Sequence, residues 1–133
     1  MTAKPFLDTN VLIYAFAVND SRSDTAEALI AAGGVISVQV LNEFVNVSRR
    51  KLARKWAEIE KQTEVLRALL DPPIPLTHDL HSAAIVQARD HGFAFYDALI
   101  VAAASRADCS ILYTEDMQDK QTILGLTIRN PFL

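Results

Sequence analysis

Sulfur, glycine and surplus positive charge are all scarce in this chain, and each scarcity excludes something. Its 133 residues include one cysteine, Cys109, so no internal disulfide can form. The segment 1–5 lacks the charged-then-apolar layout of a secretory leader. Both features lead to the expectation of a cytoplasmic protein. The longest uninterrupted apolar run, residues 98–104, falls far short of the roughly 20 residues that cross a bilayer. No membrane span is expected. Thirteen Lys and Arg stand against sixteen Asp and Glu, a formal charge of −3. A general positive surface for nucleic acid is thereby excluded, because phosphate binding is largely counterion release by Lys and Arg. Any such contact has to be local. With four glycines, no internal repeat and no low-complexity segment, there is no linker, and half of the residues are hydrophobic. A single domain spanning residues 1–133 follows.

The stretch from Phe6 to Tyr14 organises what is present. Two apolar residues, Phe6 and Leu7, run into Asp8, then a turn-forming Thr9-Asn10 pair, then a fresh apolar run. This reads as a short buried strand that delivers Asp8 to its C-terminal end before a helix begins. Taken alone, Asp8 reads first as the N-cap of that helix. Further along, helical patterns cover about residues 25–32 before Gly33-Gly34, 38–50 behind a Ser37 cap, and 56–70 up to Asp71-Pro72-Pro73. Two more cover about 79–91 before Gly92 and 96–107. Strand patterns fall at 35–37, weakly at 76–77, at 111–114 and at 126–128. Strands alternating with helices imply a mostly parallel sheet with helices on both faces, an α/β three-layer sandwich.

Carboxylates recur at the strand-to-helix junctions. Asp97 heads a helix whose same stripe holds Val101 and Ala104, an apolar setting in which an ionised carboxylate is costly unless amides, a helix dipole or a cation compensate. Asp116 follows the 111–114 strand as Asp8 follows the first. Glu43 shares a helix face with Gln39, Asn42, Asn46 and Arg50, a face dominated by amides rather than by the lysines of a solvated surface. Asp119 is a fifth acid nearby. If the sheet gathers Asp8, Glu43, Asp97 and Asp116, their repulsion needs a counter-charge. Hard oxygen donors without Cys or His favour Mg2+ or Mn2+, a setting suited to phosphodiester hydrolysis. One dense cationic run exists, Arg49, Arg50, Lys51, Arg54 and Lys55. It reads either as a solvated helix end or, through Arg50, Arg54 and Lys55, as a contact for RNA or for an acidic protein partner.

At these residues the chain resembles the PIN-domain nucleases, and within them the VapC-type ribonuclease toxins of toxin–antitoxin pairs. The resemblance covers about residues 6–132. It rests on Leu7-Asp8-Thr9-Asn10, Asn42-Glu43, Tyr96-Asp97-Ala98-Leu99-Ile100, Thr114-Glu115-Asp116 and Asn130-Pro131-Phe132 in that order. It implies four or five parallel strands in the order 3-2-1-4-5. A metal-binding and catalytic set of Asp8, Glu43, Asp97 and Asp116, with Asn10 and Thr114 as supports, is carried over from the family. It also implies metal-dependent RNA cleavage leaving a 5′-phosphate, a homodimer and a cognate antitoxin.

Other chemistries fit less well. His78 and His81 lie one turn apart without a third ligand near them in sequence, so zinc is disfavoured. No Gly-x-Ser-x-Gly elbow follows any strand, which disfavours a serine hydrolase. An aspartyl-phosphate phosphatase would need an acid where Asn10 stands. A receiver-type signalling domain would need a lysine after its last strand, and residues 126–130 offer only Arg129. A catalytically silent PIN fold acting as a binding module stays open.

Overall fold

The computed structural model describes residues 4–133, so Met1–Ala3, part of the segment read above for a leader, lie outside the described residues. Among the described residues, six helices surround a four-stranded sheet. Strand β1 (Phe6–Leu7) runs into α1 (Thr9–Ala15), and then come α2 (Ser23–Ala31), α3 (Val38–Arg50) and α4 (Trp56–Leu69). Helices α5 (His78–His91) and α6 (Phe95–Arg106) precede β2 (Ile111–Tyr113), β3 (Thr122–Ile123) and β4 (Leu126–Arg129).

The sheet order is β1-β2-β4-β3, parallel between β1, β2 and β4 and antiparallel only at the β3–β4 edge. On the other side of β1 the chain continues as two parallel bridges, Phe6 to Val35 and Ser37 to Ile74. Across these bridges the order expected from the sequence is kept, although the 35–37 strand shrinks to bridge contacts. The third position is filled by Ile74 rather than residues 76–77, because Thr77 is used as the N-cap of α5, its hydroxyl accepting from Leu80 N at 3.1 Å. Gly34 admits the close approach of this segment to β1: a Cβ there would lie 3.0 Å from the Pro5 carbonyl oxygen. The β3–β4 hairpin was not expected. Its two-residue turn, Leu124-Gly125, has φ of +52° and +81°. Such turns favour Asn-Gly, and a leucine at the first position hides the signal.

Burial explains the layering. Phe6, Leu7, Leu112 and Ile128 are fully buried, as central parallel strands covered on both faces should be. Helix α6 is buried from Ala98 through Ala104 and packs against α5, while α1 packs against α2 and α3. The small residues of α6 let its middle lie deep in the core, with only its two ends reaching the surface. Its first turn carries Asp97.

Candidate active site

Strand register places the first pair of site residues. Leu7 is level with Tyr113, so the next residues on the two parallel strands, Asp8 and Thr114, emerge side by side at the C-terminal edge. Both are anchored by the sheet: Asp8 N donates to Tyr113 O at 3.0 Å and Thr114 N to Arg129 O at 3.0 Å. The carboxyl ends of parallel strands are where open α/β sheets gather their ligand sites. Asp8 is both a cap and a member of the cluster. Its Oδ1 accepts from Thr9 N at 2.7 Å, and its Oδ2 accepts from the Thr114 hydroxyl at 2.8 Å.

Thr114 coordinates the group by elimination. Its Oγ1 accepts from Asn10 Nδ2 at 3.2 Å and from Asp116 N at 3.1 Å. Both of those partners are donors, so the single hydroxyl proton has to point at Asp8. Asn10 spans the same gap, donating to Asp116 Oδ2 at 3.1 Å while its Oδ1 accepts from Glu115 N at 3.4 Å. Thr114→Val is expected to lower stability by roughly 1–3 kcal/mol, since a methyl leaves a buried carboxylate oxygen and an amide donor unpartnered. Thermal unfolding measures this, and Thr114→Ser, which keeps the hydroxyl, should stay near wild type.

Glu43 arrives from α3, whose start is set by the Ser37 cap accepting from Val40 N at 3.1 Å. Val40 and Phe44 turn into the core, which leaves Glu43 half-buried toward the cleft, with the Thr9 hydroxyl 3.4 Å from its Oε2. Asp97 enters from the first turn of α6. Asp8, Glu43, Asp97 and Asp116 thus line one cleft of about 390 Å³, together with Thr9, Asn10 and Glu115. Thr114 stands directly behind it.

The electrostatics are those of crowded like charges. Burial, joined by Asp116 and Asp97, pushes the Asp8 carboxyl up to about 6 despite the hydrogen bonds from Thr114 and Thr9 that favour its ionised form. Burial first, then Asp8 and Asp97, raises Glu43 to about 7. Asp97 is raised by burial and by Asp116. Among the described residues none of these four carboxylates has a Lys or Arg ion-pair partner. An oxygen-only set with uncompensated charge fits a hard divalent cation. Among the described residues no three acidic, imidazole or thiol side chains close into a ready cage.

Several cleft residues were not singled out in the sequence. Tyr14 lies on the same face of α1 as Asn10 and Ile13, an i, i+3, i+4 spacing that was available to be read. Its hydroxyl donates to Glu115 Oε1, while the Arg22 guanidinium stacks 3.7 Å over its ring and donates to its oxygen at 2.6 Å. Asp20 holds Arg22 at 2.8 Å and Phe132 meets the Tyr14 ring edge-on at 5.1 Å. No local sequence signal links residues 14, 22 and 115. Asp119 stands apart from the cleft lining and accepts from Asn130 N at 2.7 Å.

The basic run divides. Arg54 is partly buried and donates to Ser48 Oγ at 3.1 Å and Gln62 Oε1 at 3.2 Å, tying α3 to α4. Arg50 and Lys55 are exposed and outside the cleft lining, whereas Lys51 is part of it. His78 and His81 fall in a separate groove with Gln39, Phe95 and Tyr96, and His81 meets the Phe95 ring at 5.2 Å.

The sequence pattern of the PIN domain matches residues 6–121. This chain is a member of the PIN domain family. No curated protein matches its sequence. Solved structures do share the fold of this PIN domain. A toxin–antitoxin complex from Klebsiella pneumoniae superposes with a TM-score of 0.70 at 22% identity, over 96% of this chain and 97% of that one. The sarcin–ricin-loop-cleaving toxin VapC20 of Mycobacterium tuberculosis gives 0.69 at 21% identity, over 84% and 91%. VapBC2 of Rickettsia felis, bound to a promoter DNA fragment, gives 0.67 at 21% identity, over 95% and 97%. Among the described residues no helix of this PIN domain is long and apolar enough to cross a membrane.

Proposed function

We propose that this PIN domain is a Mg2+- or Mn2+-dependent endoribonuclease, the toxin of a type II toxin–antitoxin pair, acting in the cytoplasm as a homodimer. The observation that carries the reading is the convergence of Asp8, Glu43, Asp97 and Asp116 in one cleft, with the pKa values of Asp8, Glu43 and Asp97 raised and, among the described residues, no cationic side chain paired to any of the four. Asp8, Glu43, Asp97 and Asp116 are the residues that would hold the ion. When bound, it supplies a counter-charge, a more acidic water and polarisation of the phosphoryl group. Thr114 and Asn10 keep Asp8 and Asp116 turned inward, which fixes donor geometry before substrate arrives. Water adds to phosphorus and the P–O3′ bond breaks, leaving a 5′-phosphate. A carboxylate of the set takes the attacking water's proton, and the departing 3′ oxygen is protonated from solvent.

The toxin reading draws on the toxin and toxin–antitoxin structures that share the fold. Single-stranded RNA incubated with the protein should be cut in Mn2+ or Mg2+ and left intact in chelator, with 5′-phosphate ends on the products. Intact RNA under both conditions would leave a catalytically silent binding module as the reading.

A further inference from the structure

One cation in the cleft has no part in the reading above. Helix α3 forms a wall on which Glu43, Asn46, Val47 and Lys51 lie at helical spacing, so they share a face. Lys51 ends that helix, its amide donating to Val47 O at 3.0 Å. It is exposed and makes no ion pair among the described residues. Its neighbours in the basic run are engaged or face elsewhere. Arg49 stands 4.9 Å over the Trp56 ring and donates to Arg54 O, and Arg54 is turned inward to Ser48 and Gln62. Lys51 is the cation among residues that otherwise include five carboxylates: Asp8, Glu43, Asp97, Glu115 and Asp116.

Resting on the nuclease reading, we infer that Lys51, with the Asn46 amide five residues before it on the same cleft wall, is a subsite for a phosphate of the RNA strand beside the one that is cleaved. Eight residues separate Glu43 from Lys51, about 12 Å along the helix axis. Lys51 thus stands about two turns further along the cleft wall than Glu43, on the path of a strand that leaves the acidic centre along α3. A polyanion entering a cleft of five acids is repelled even after one divalent ion is bound, so a cation at the exit offsets the repulsion and fixes the direction of the strand. Lysine suits this task as a mobile point charge for a single phosphate.

A lysine at a helix C-terminus also complements the dipole, and that role would show in stability rather than in salt dependence. The test therefore follows single-stranded RNA with the full-length chain in Mn2+ for turnover and in Ca2+ for binding, across a series of salt concentrations. Lys51→Met is expected to raise KM about tenfold with kcat within twofold of wild type. The log–log salt slope should flatten by about 0.7, the loss of one single-strand phosphate contact. Lys51→Arg should restore both, and Mn2+ affinity and melting temperature should stay unchanged. Arg54→Ala should lower the melting temperature and leave the slope alone. A Lys51→Met enzyme with wild-type KM and slope, or one that loses kcat at constant KM, overturns the subsite while the nuclease reading stands. A wild-type chain that cuts no RNA overturns that reading and the subsite with it.

Discussion

Asp97→Asn is expected to abolish RNA cleavage, a loss on the order of 10³-fold or more, in a protein that stays folded. The loss follows from the place of Asp97 on the first turn of α6, facing Asp8 and Glu43 across the cleft. An amide keeps the shape but supplies no charge to an ion, and removing one group that acts mainly on the transition state is felt at that scale. The fold survives because the rest of α6, from Ala98 to Ala104, supplies the burial. Asp97 is also among the charges that raise Asp8 and Glu43, so its removal relaxes both. The metal-free variant should therefore melt at or above the wild-type temperature near pH 7.5. Asp8→Asn should be as inactive, with its stability gain reduced by the disturbed bond from Thr114. Turnover of labelled RNA and a melting curve on the same sample decide it. Near-wild-type turnover in folded Asp97→Asn would remove the acidic set from the mechanism.

What could be read in the sequence, and what could not, divides along physical lines. Helix α3 was delimited as residues 38–50 because a serine cap, a sustained amphipathic period and a basic terminus all agree, and the same consistency marked the Gly92 stop of α5. The short strands were less legible. Val35 to Ser37 and Ile74 make single bridges whose extent depends on neighbours far away in sequence, and the β3–β4 turn uses a leucine at positive φ. At the site, the four acids were visible because each follows a strand or lies on a helix face with a readable period. The Tyr14–Arg22–Glu115 cluster was not, since a ring stacked by a guanidinium and bonded to an acid 101 residues later is a purely tertiary arrangement. The cationic run shows the limit most plainly. Sequence puts five similar charges together, and packing turns one onto a tryptophan, one inward to a serine and one into the cleft.

The metal-free protein is expected to lose stability as pH rises from 5.5 to 8, and Mn2+ should reverse the loss most strongly at the higher pH. A carboxyl whose folded-state pKa is raised binds more protons folded than unfolded between its two values, so acid favours the fold. For Asp8 that interval runs from 3.8 to about 6, and for Glu43 from 4.5 to about 7. Their stabilising share is complete below about pH 4 and is lost as pH climbs through those upper values. Asp20 works in the opposite sense, its pKa lowered to about 2 by the hydrogen bonds from Arg22, but its loss occurs as pH falls through that lower range, outside this window. With Glu43 discounted for its partial exposure, the change between pH 5.5 and 8 is about 2 kcal/mol, or a fall of about 5 °C in melting temperature. A divalent ion binds the ionised cluster in competition with those protons. At a concentration of about 100 times Kd it adds about 2.7 kcal/mol, enough to raise the melting temperature by on the order of 5–10 °C at pH 8, with much less at pH 5.5. Asp97→Asn should flatten both responses, since it lowers the charge that the ion and the protons compete for. Melting curves in chelator and in millimolar Mn2+ at the two pH values give the result, and a shift of the same size at both, or at neither, would count against an ion held by these carboxylates.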